Sequence, residues 1–375
     1  MSKTGTNTNT ANNKRLSYLT LEAPREGQAS YAHVHEIIAG LRRRGWDVRL
    51  FQPPYAGRYQ LPPLLIRLLA SFWVQLCLWV RWRRGSVLYV RGHYLAFPSA
   101  VIAWLFRIPI IHEINGPYED VFVTYPALGR VKNILIWMQR WQYRRARKLI
   151  SVTEDLCRWA EVEAGGKVRC ALISNGANTE LFRPDLDAPD DAPERYVVFF
   201  GGLARWHGVP VMMEAAAHED WPQGVHLIVI GDGQCADLVR AGAAQHADIH
   251  MKGRLDYKSV PAYVAGALAG LVPVSNPDNR SQTGVMPLKL FETLACGIPA
   301  IVSDLPGQAD LVRAEQCGVV IPSEDAGALA RAVAAIAANP QAAKEMGARG
   351  REVIVRAHSW DARAGATDAL LGEIR

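Results

Sequence analysis

The stretch Thr283–Asp304, "TGVMPLKLFETLACGIPAIVSD", decides the fold. Pro287 suits the first position of a helix. Leu288, Leu290, Phe291 and Leu294 supply its apolar side. Gly297 ends it, and "PAIVSD" (299–304) reads as a buried strand. Into this apolar helix the sequence sets Lys289 and, three residues on, Glu292, which share one helical side. The N–H groups of residues 285–289, the helix dipole and Lys289 would together make an anion site. A carboxylate just behind such a site can accept two hydrogen bonds from ribose hydroxyls. The other reading is a solvated ion pair, and the apolar neighbours argue against so exposed a helix.

Outward from that segment, short apolar runs alternate with helical patterns, the signature of α/β construction with parallel sheets. "RLSYLT" (15–20), "DVRLFQP", "SVLYVRG" (86–92), "PIIHEING" (109–116), "KLISVT" (148–153) and "VRCALISNGANTELFRP" (168–184) form one series. After "PDLDAPDDAPE", rich in Pro and Asp, the pattern restarts at "YVVFFGG" (196–202) and runs through "VHLIVIGDG", "IHMKGRL" and "GLVPVSN". The sequence thus predicts a leader over 1–14, a first Rossmann-like domain over 15–185, a linker over 186–195 and a second Rossmann-like domain over 196–355. Residues 356–375 are expected to form a helix crossing back to the first domain. Two doubly wound domains facing a central cleft would bind ligand between the carboxyl ends of their sheets.

Composition fits an ordinary globular chain of 375 residues, 49% hydrophobic and 21% charged. Its six cysteines are scattered without a C-x-x-C pair, which argues against a metal or disulfide framework and suits a reducing, cytoplasmic setting. The polar N-terminus lacks an apolar h-region. Residues 1–190 carry 26 Lys/Arg against 15 Asp/Glu, the remainder 16 against 21. A basic first half points to an anionic membrane surface or a phosphate-bearing substrate. No zinc-finger spacing or RNP signature points to nucleic acid. The uncharged run "LLASFWVQLCLWV" (68–80), flanked by Arg67, Arg81, Arg83 and Arg84, is too short to span a bilayer. It reads either as a helix packed on the first sheet or as an interfacial helix, and "RWQYRRARK" (140–148) would join the same membrane surface within a contact spanning 64–84.

The dinucleotide fingerprint is absent after the first strand, and "GDGQCA" (231–236) keeps only two of its glycines. Walker A, G-x-S-x-G and H-E-x-x-H motifs are missing too. What stands out is "FFGGLARWHGVPVMMEAAA", a glycine turn after a strand with Arg205 and His207 before a helix, suited to a diphosphate.

Taken in order, "FFGGLARWHGV", "LIVIGDGQ", "IHMKGRLDYKSVPAYVAGALAGLVPVSNP" and "TGVMPLKLFETLACGIPAIVSDLPGQADLV" resemble the retaining glycosyltransferases of family 4, which have the GT-B architecture. "VLYVRGHYLAFPSAVIAWLFRIPIIHEINGP" and "LISNGANTELFRP" extend the resemblance into the first half. It implies a nucleotide sugar, UDP- or GDP-linked, as co-substrate, with no cofactor and no metal. The family's Glu-x7-Glu motif ends at Glu292, the implied ribose ligand, and its first glutamate falls at Gly284. Lys289 and the loop Gly284, Val285, Met286, Pro287, with Leu290 behind it, would serve there. The family's phosphate-binding Arg and Lys fall at Gly202 and His207, leaving Arg205 and Lys289 as the strong cations and His207 as a hydrogen-bond donor. Arg254 and Leu255 match the base-contacting loop, and Gly27 with Gln28 the glycine loop facing the diphosphate. The family's cleft histidine falls at Asn115. With no side-chain base, front-side displacement is implied, the leaving phosphate taking the acceptor's proton.

The expectation is therefore a retaining, metal-independent glycosyltransferase acting on a glycan or a polyprenyl-diphosphate-linked acceptor in polysaccharide or glycolipid assembly. It would work in the cytoplasm, free or peripheral on the inner face of the cytoplasmic membrane. Two other classes stay open: a catalytically degenerate nucleotide-sugar-binding subunit, and a sugar-nucleotide 2-epimerase of the same architecture.

Overall fold

The computed structural model describes residues 14–24, 29–58, 61–119, 121–122, 125–275 and 283–374. Among these residues, runs of Val, Ile, Leu and aromatic side chains form twelve strands in two sheets, parallel throughout, the inner strands buried on both faces. The first sheet holds β1 (Arg15–Leu19), β2 (Asp47–Phe51), β3 (Ser86–Arg91), β4 (Ile110–Ile114), β5 (Lys148–Ser151) and β6 (Cys170–Leu172). Their order is β2-β1-β3-β4-β5-β6. The second holds β7 (Tyr196–Phe200), β8 (His226–Ile230), β9 (Ile249–Gly253), β10 (Gly270–Val272), β11 (Ala300–Ser303) and β12 (Gly318–Ile321). Its order is β12-β11-β10-β7-β8-β9. Both are doubly wound, so each strand order reverses once: between β1 and β3, and between β7 and β10. A crevice opens at the carboxyl ends of the strands at each reversal.

Helices cover both faces of each sheet. On one face of the first sheet lie the helices Ala29–Arg43 and Trp360–Ile374, sealed by Leu41, Trp46, Leu371 and Ile374. On the other lie Leu64–Val80, Phe97–Leu105 and Lys132–Arg145. The C-terminal helix leaves the second domain through a π-helical turn at Ile354–His358. It is anchored to the first domain by Lys14 and Trp46 on Asp368 (2.9 and 2.7 Å) and by Arg44 on Asp361 (2.8 Å). Ahead of β7, Asp191 is tied to the second domain by Lys252 (2.7 Å) and Tyr263 (2.6 Å).

The segment 68–80 lies within the helix Leu64–Val80, which does pack on the first sheet. It does so through its less apolar side, so most of the large side chains in that run face outward.

Candidate functional site

The turn after β7 and the turn after β8 meet at the β7/β10 reversal. Gly201 (φ +118°) and Gly231 (φ +141°) come so close that a Cβ on Gly231 would lie 1.9 Å from the Gly201 carbonyl oxygen. Only glycine fits there. Gly202 follows, then a 3-10 turn at Arg205–His207 and the helix Val209–Ala216. Arg205 is exposed. His207 does not offer its donor to a ligand as expected. Its Nδ1 is bonded to the Gly202 carbonyl at 2.6 Å. Since a carbonyl only accepts, Nδ1 carries the proton and Nε2 is left as an acceptor. Burial, and then the nearby Lys289 charge, lower its pKa to about 3, so the ring is neutral.

The helix Leu288–Ala295 is buried along its whole length. It begins one residue later than the sequence suggests, with Pro287 as its N-cap. Leu290 lies in the second-domain core at 0% exposure, behind the site and not lining it. Lys289 points back to the glycine turn: a Cβ on Gly201 would meet its Nζ at 3.7 Å. The Nζ lies 3.7 Å from the Phe199 ring centroid and has no hydrogen-bond partner among the described residues. Burial lowers its pKa to about 7, against the opposing pull of Glu292. Glu292 does not pair with it at ion-pair distance. It accepts a 2.6 Å hydrogen bond from the Tyr257 hydroxyl instead. Burial raises its pKa to about 7, with Tyr257 and Lys289 pulling the other way. The sequence pairs Lys289 with Glu292, whereas the structure gives each its own surroundings: a buried slot against the Phe199 ring, and a carboxylate held by a phenol.

Of the N–H groups expected to face the cleft, Val285 is spent on the Pro306 carbonyl at 2.8 Å. Those of Met286 and Leu288 bond to no backbone carbonyl among the described residues. The loop is held from the first domain through its carbonyls. Thr153 Oγ1 donates to Thr283 O, and Asn175 Nδ2 to Met286 O at 2.7 Å. Gly284 sits at this contact with φ +82°, and an added Cβ would lie 3.0 Å from Thr153 Cγ2 and 3.1 Å from Pro306 O. A glutamate there would be strained in backbone and crowded in side chain. The glycine is thus a requirement of the interdomain contact. Leu255 packs on the second core and Arg254 lies at the surface beyond β9. Gly27 and Gln28 lie outside the described residues.

In the first domain Asn115 is exposed just beyond β4, and its Nδ2 donates to Glu113 Oε1 at 2.7 Å. Glu113, 1% exposed, is the hub of a network that sequence reasoning missed. Tyr89 (2.7 Å) and Arg91 (2.6 Å) donate to it, with Tyr18 and His33 Nε2 at 3.2 Å. Burial alone would raise the pKa of Glu113. His33 and Arg91 outweigh it and hold the carboxyl well below the usual carboxylate range. His33 Nδ1 lies 3.0 Å from Asn175 Oδ1, the residue that also holds Met286. A chain of hydrogen bonds therefore runs from Glu113 across the cleft to the loop before Leu288. Among the described residues no group of three His, Cys, Asp or Glu side chains could hold a metal ion.

Two family models match the chain: Glycosyltransferase Family 4 over residues 32–181, and Glycosyl transferases group 1 over residues 194–339. The alpha-maltose-1-phosphate synthase of Mycolicibacterium smegmatis is 24% identical over 380 residues, covering 92% of this chain and 96% of that protein. A GDP-mannose-dependent alpha-(1-6)-phosphatidylinositol monomannoside mannosyltransferase of Mycobacterium tuberculosis is 26% identical over 202 residues, 50% of this chain and 52% of that one. Among solved structures, sucrose-phosphate synthase from Thermosynechococcus elongatus superposes with a TM-score of 0.76 at 20% identity, covering 96% of this chain and 98% of that one. HepE of Anabaena, solved in complex with UDP, gives 0.71 at 15% identity, with coverage of 96% and 100%.

Proposed function

This chain belongs to the glycosyltransferases of group 1 and family 4, and from that premise we propose that it is a retaining, metal-independent enzyme of polysaccharide or glycolipid assembly. The donor in this reading is a UDP- or GDP-linked sugar, and the acceptor a glycan or polyprenyl-diphosphate-linked sugar met at the cytoplasmic face of a membrane. The observation that carries it is Lys289: a buried amino group with no hydrogen-bond partner among the described residues, aimed at a glycine turn and one residue inside a helix start. Burying such a group unpaired is costly unless a ligand supplies the anion.

In the proposed reaction the acceptor hydroxyl oxygen bonds to the anomeric carbon on the face the diphosphate leaves. The bond to the phosphate oxygen breaks, and that oxygen takes the hydroxyl proton. Lys289, with the N–H groups of Met286 and Leu288, would stabilise the charge gathering on the diphosphate. Glu292, oriented by Tyr257, would accept from the ribose hydroxyls.

Incubating the full chain with UDP- and GDP-sugars and a panel of oligosaccharide and lipid-linked acceptors tests this, with product anomeric configuration read by NMR. Transfer with retention is expected, and Lys289→Ala and Glu292→Ala should each remove most of it without loss of circular dichroism. Binding without turnover would favour a non-catalytic subunit, and an isomerised donor an epimerase. Near-wild-type turnover in both variants would defeat the site assignment.

A further inference from the structure

The helix Leu64–Val80 is built inside out. Its buried face is Ala70, Ser71, Val74, Gln75 and Leu78. The polar members are satisfied internally: Gln75 Nε2 donates to the Leu95 carbonyl (2.8 Å), and Oε1 accepts from Ser99 Oγ (2.8 Å). The outer face carries Leu65, Leu69, Phe72, Trp73, Leu76 and Val80, with Trp73 60% and Val80 75% exposed. A surface helix in water has the opposite arrangement.

Its neighbours continue the pattern. Trp79 donates to Ser99 and joins this helix to Phe97–Leu105, which ends in exposed Trp104 and Leu105 followed by exposed Phe106. Phe97 packs on Trp137 at 5.5 Å and so joins the helix Lys132–Arg145, whose Ile134 and Trp137 are also exposed. Three adjacent helices thus present one apolar surface, of a kind that monomers in water rarely leave bare.

Cations rim that surface. Arg81, Arg84, Arg107, Arg144 and Arg147 are exposed at the carboxyl ends of the three helices. Arg145 lies 4.0 Å from the Trp141 ring centroid. Of the basic run 140–148, Arg140 is spent on Glu163 (2.5 Å), while Arg144, Arg145 and Arg147 make no salt bridge among the described residues. A cavity of about 1050 Å³ opens between Trp82, Trp104, Arg107, Arg145 and Arg147, with no acidic side chain in its walls. The sequence has no Asp or Glu between Asp47 and Glu113.

We infer that this face docks the protein on an anionic lipid bilayer. The leucines and Phe72 enter the acyl boundary, the tryptophans sit at headgroup depth, and the arginines lie on lipid phosphates. No helix among the described residues is long and apolar enough to cross a membrane, so the Leu64–Val80 helix lies in the plane of the surface. A second copy fits the same face poorly, because self-association would set one arginine rim against another, and the nearby carboxylates Asp47, Glu163 and Glu373 are already paired with Arg83, Arg140 and Lys148. The helix starts at the carboxyl edge of the first sheet, on the cleft side, so the bilayer would reach the cleft rim where a lipid-borne acceptor could enter. That last use rests on the transferase reading; the docking itself does not.

The test is flotation of the full chain, without donor, on phosphatidylcholine vesicles and on vesicles containing phosphatidylglycerol. Binding to the anionic vesicles alone, weakened by salt, is expected. Arg81→Gln with Arg84→Gln should lower the partition coefficient about 25-fold, roughly fivefold for each arginine. Phe72→Gln with Trp73→Gln should lower it at least about tenfold with circular dichroism unchanged, since both side chains already face water. Absence of binding, equal binding to neutral vesicles, or a dimer in light scattering that Trp73→Gln dissociates would each overturn the inference. Calorimetry with UDP and GDP, read separately, tells this failure from failure of the transferase reading.

Discussion

Raising the pH across the titration of Lys289 perturbs the proposed donor pocket at one atom. The side chain is 7% exposed, its Nζ is unpartnered, and burial holds its pKa at about 7 against an ordinary value of 10.5. A diphosphate seated beside Nζ would favour the ammonium and return the pKa toward 10.5. Binding then takes up a proton wherever the free site has lost one, and affinity falls as pH rises. Between those two values the dissociation constant should rise about eightfold from pH 7.5 to 8.5 and about ninefold over the next unit. The ligand's own charge contributes little, since a terminal phosphate loses its second proton near pH ~6. Isothermal titration of UDP and GDP at the three pH values, in buffers of different ionisation enthalpy, reads the affinity and the proton count together. Lys289→Met should flatten the profile and weaken binding about tenfold or more at pH 7.5, as for loss of a charge-assisted bond. Glu292, raised by burial to about 7, completes its titration early in this range, so Glu292→Gln should keep the slope. A flat wild-type profile, or a slope that survives Lys289→Met, would refute the reasoning. For stability without ligand the sign reverses. The unfolded lysine keeps its proton up to 10.5 and the folded one only to about 7, so the cost of burying it is full below pH 7 and fades toward 10.5.

Gly284→Ala should cost about 1–2 kcal/mol in urea unfolding, the penalty of a left-handed backbone on a residue with a Cβ. Gly284→Glu should cost more and give no gain in turnover, and a stable, faster variant would show that the loop is not built around glycine. Glu113→Gln should destabilise by about 3 kcal/mol at pH 7, because it removes one of the two carboxylates on buried Arg91, leaving Glu22 at 2.8 Å, and the carboxylate that His33 Nε2 faces. The pKa of Glu113 is depressed on folding, so its stabilisation is fully present above the ordinary value of 4.5 and is lost as pH falls below it. The gap between wild type and Glu113→Gln should therefore narrow only in acid, and a gap that widens there would contradict the network.

The strands and their grouping in two sheets were legible because inner parallel strands, buried on both faces, read as unbroken apolar runs, most of them punctuated by glycine or proline. The second-domain half of the proposed site could be read from sequence because its parts are contiguous, from Gly284 to Glu292. The Glu113 network was not, since its members meet through strand register: Tyr18 stands opposite Tyr89, and Arg91 opposite Glu113. No spacing along the chain encodes that alignment. Tyr257 escaped notice likewise, being 35 residues from the carboxylate it holds. The helix Leu64–Val80 misleads in a different way. Its hydrophobic run is plain, but Ser71 and Gln75 mimic a solvent face while in fact pointing inward.

These misreadings bear on how the two domains meet. The loop before Leu288 has its carbonyls bound by Thr153 and Asn175 of the first domain and one N–H bound within the second. The groups it has left that suit an anion are the N–H groups of Met286 and Leu288 and the Lys289 ammonium. A carboxylate at position 284 would face that same positive field, but it would have to enter where Thr153 already touches the glycine. The contact that brings the first domain against the loop and the side chain that would reach a donor sugar thus compete for one place, and in this chain the contact has taken it. Recognition of a sugar from this loop would then fall to its backbone and Lys289, which would tie it to the hydrogen bonds of Asn175 and, through His33, to Glu113. Loosening that chain should therefore act on the donor site without touching it.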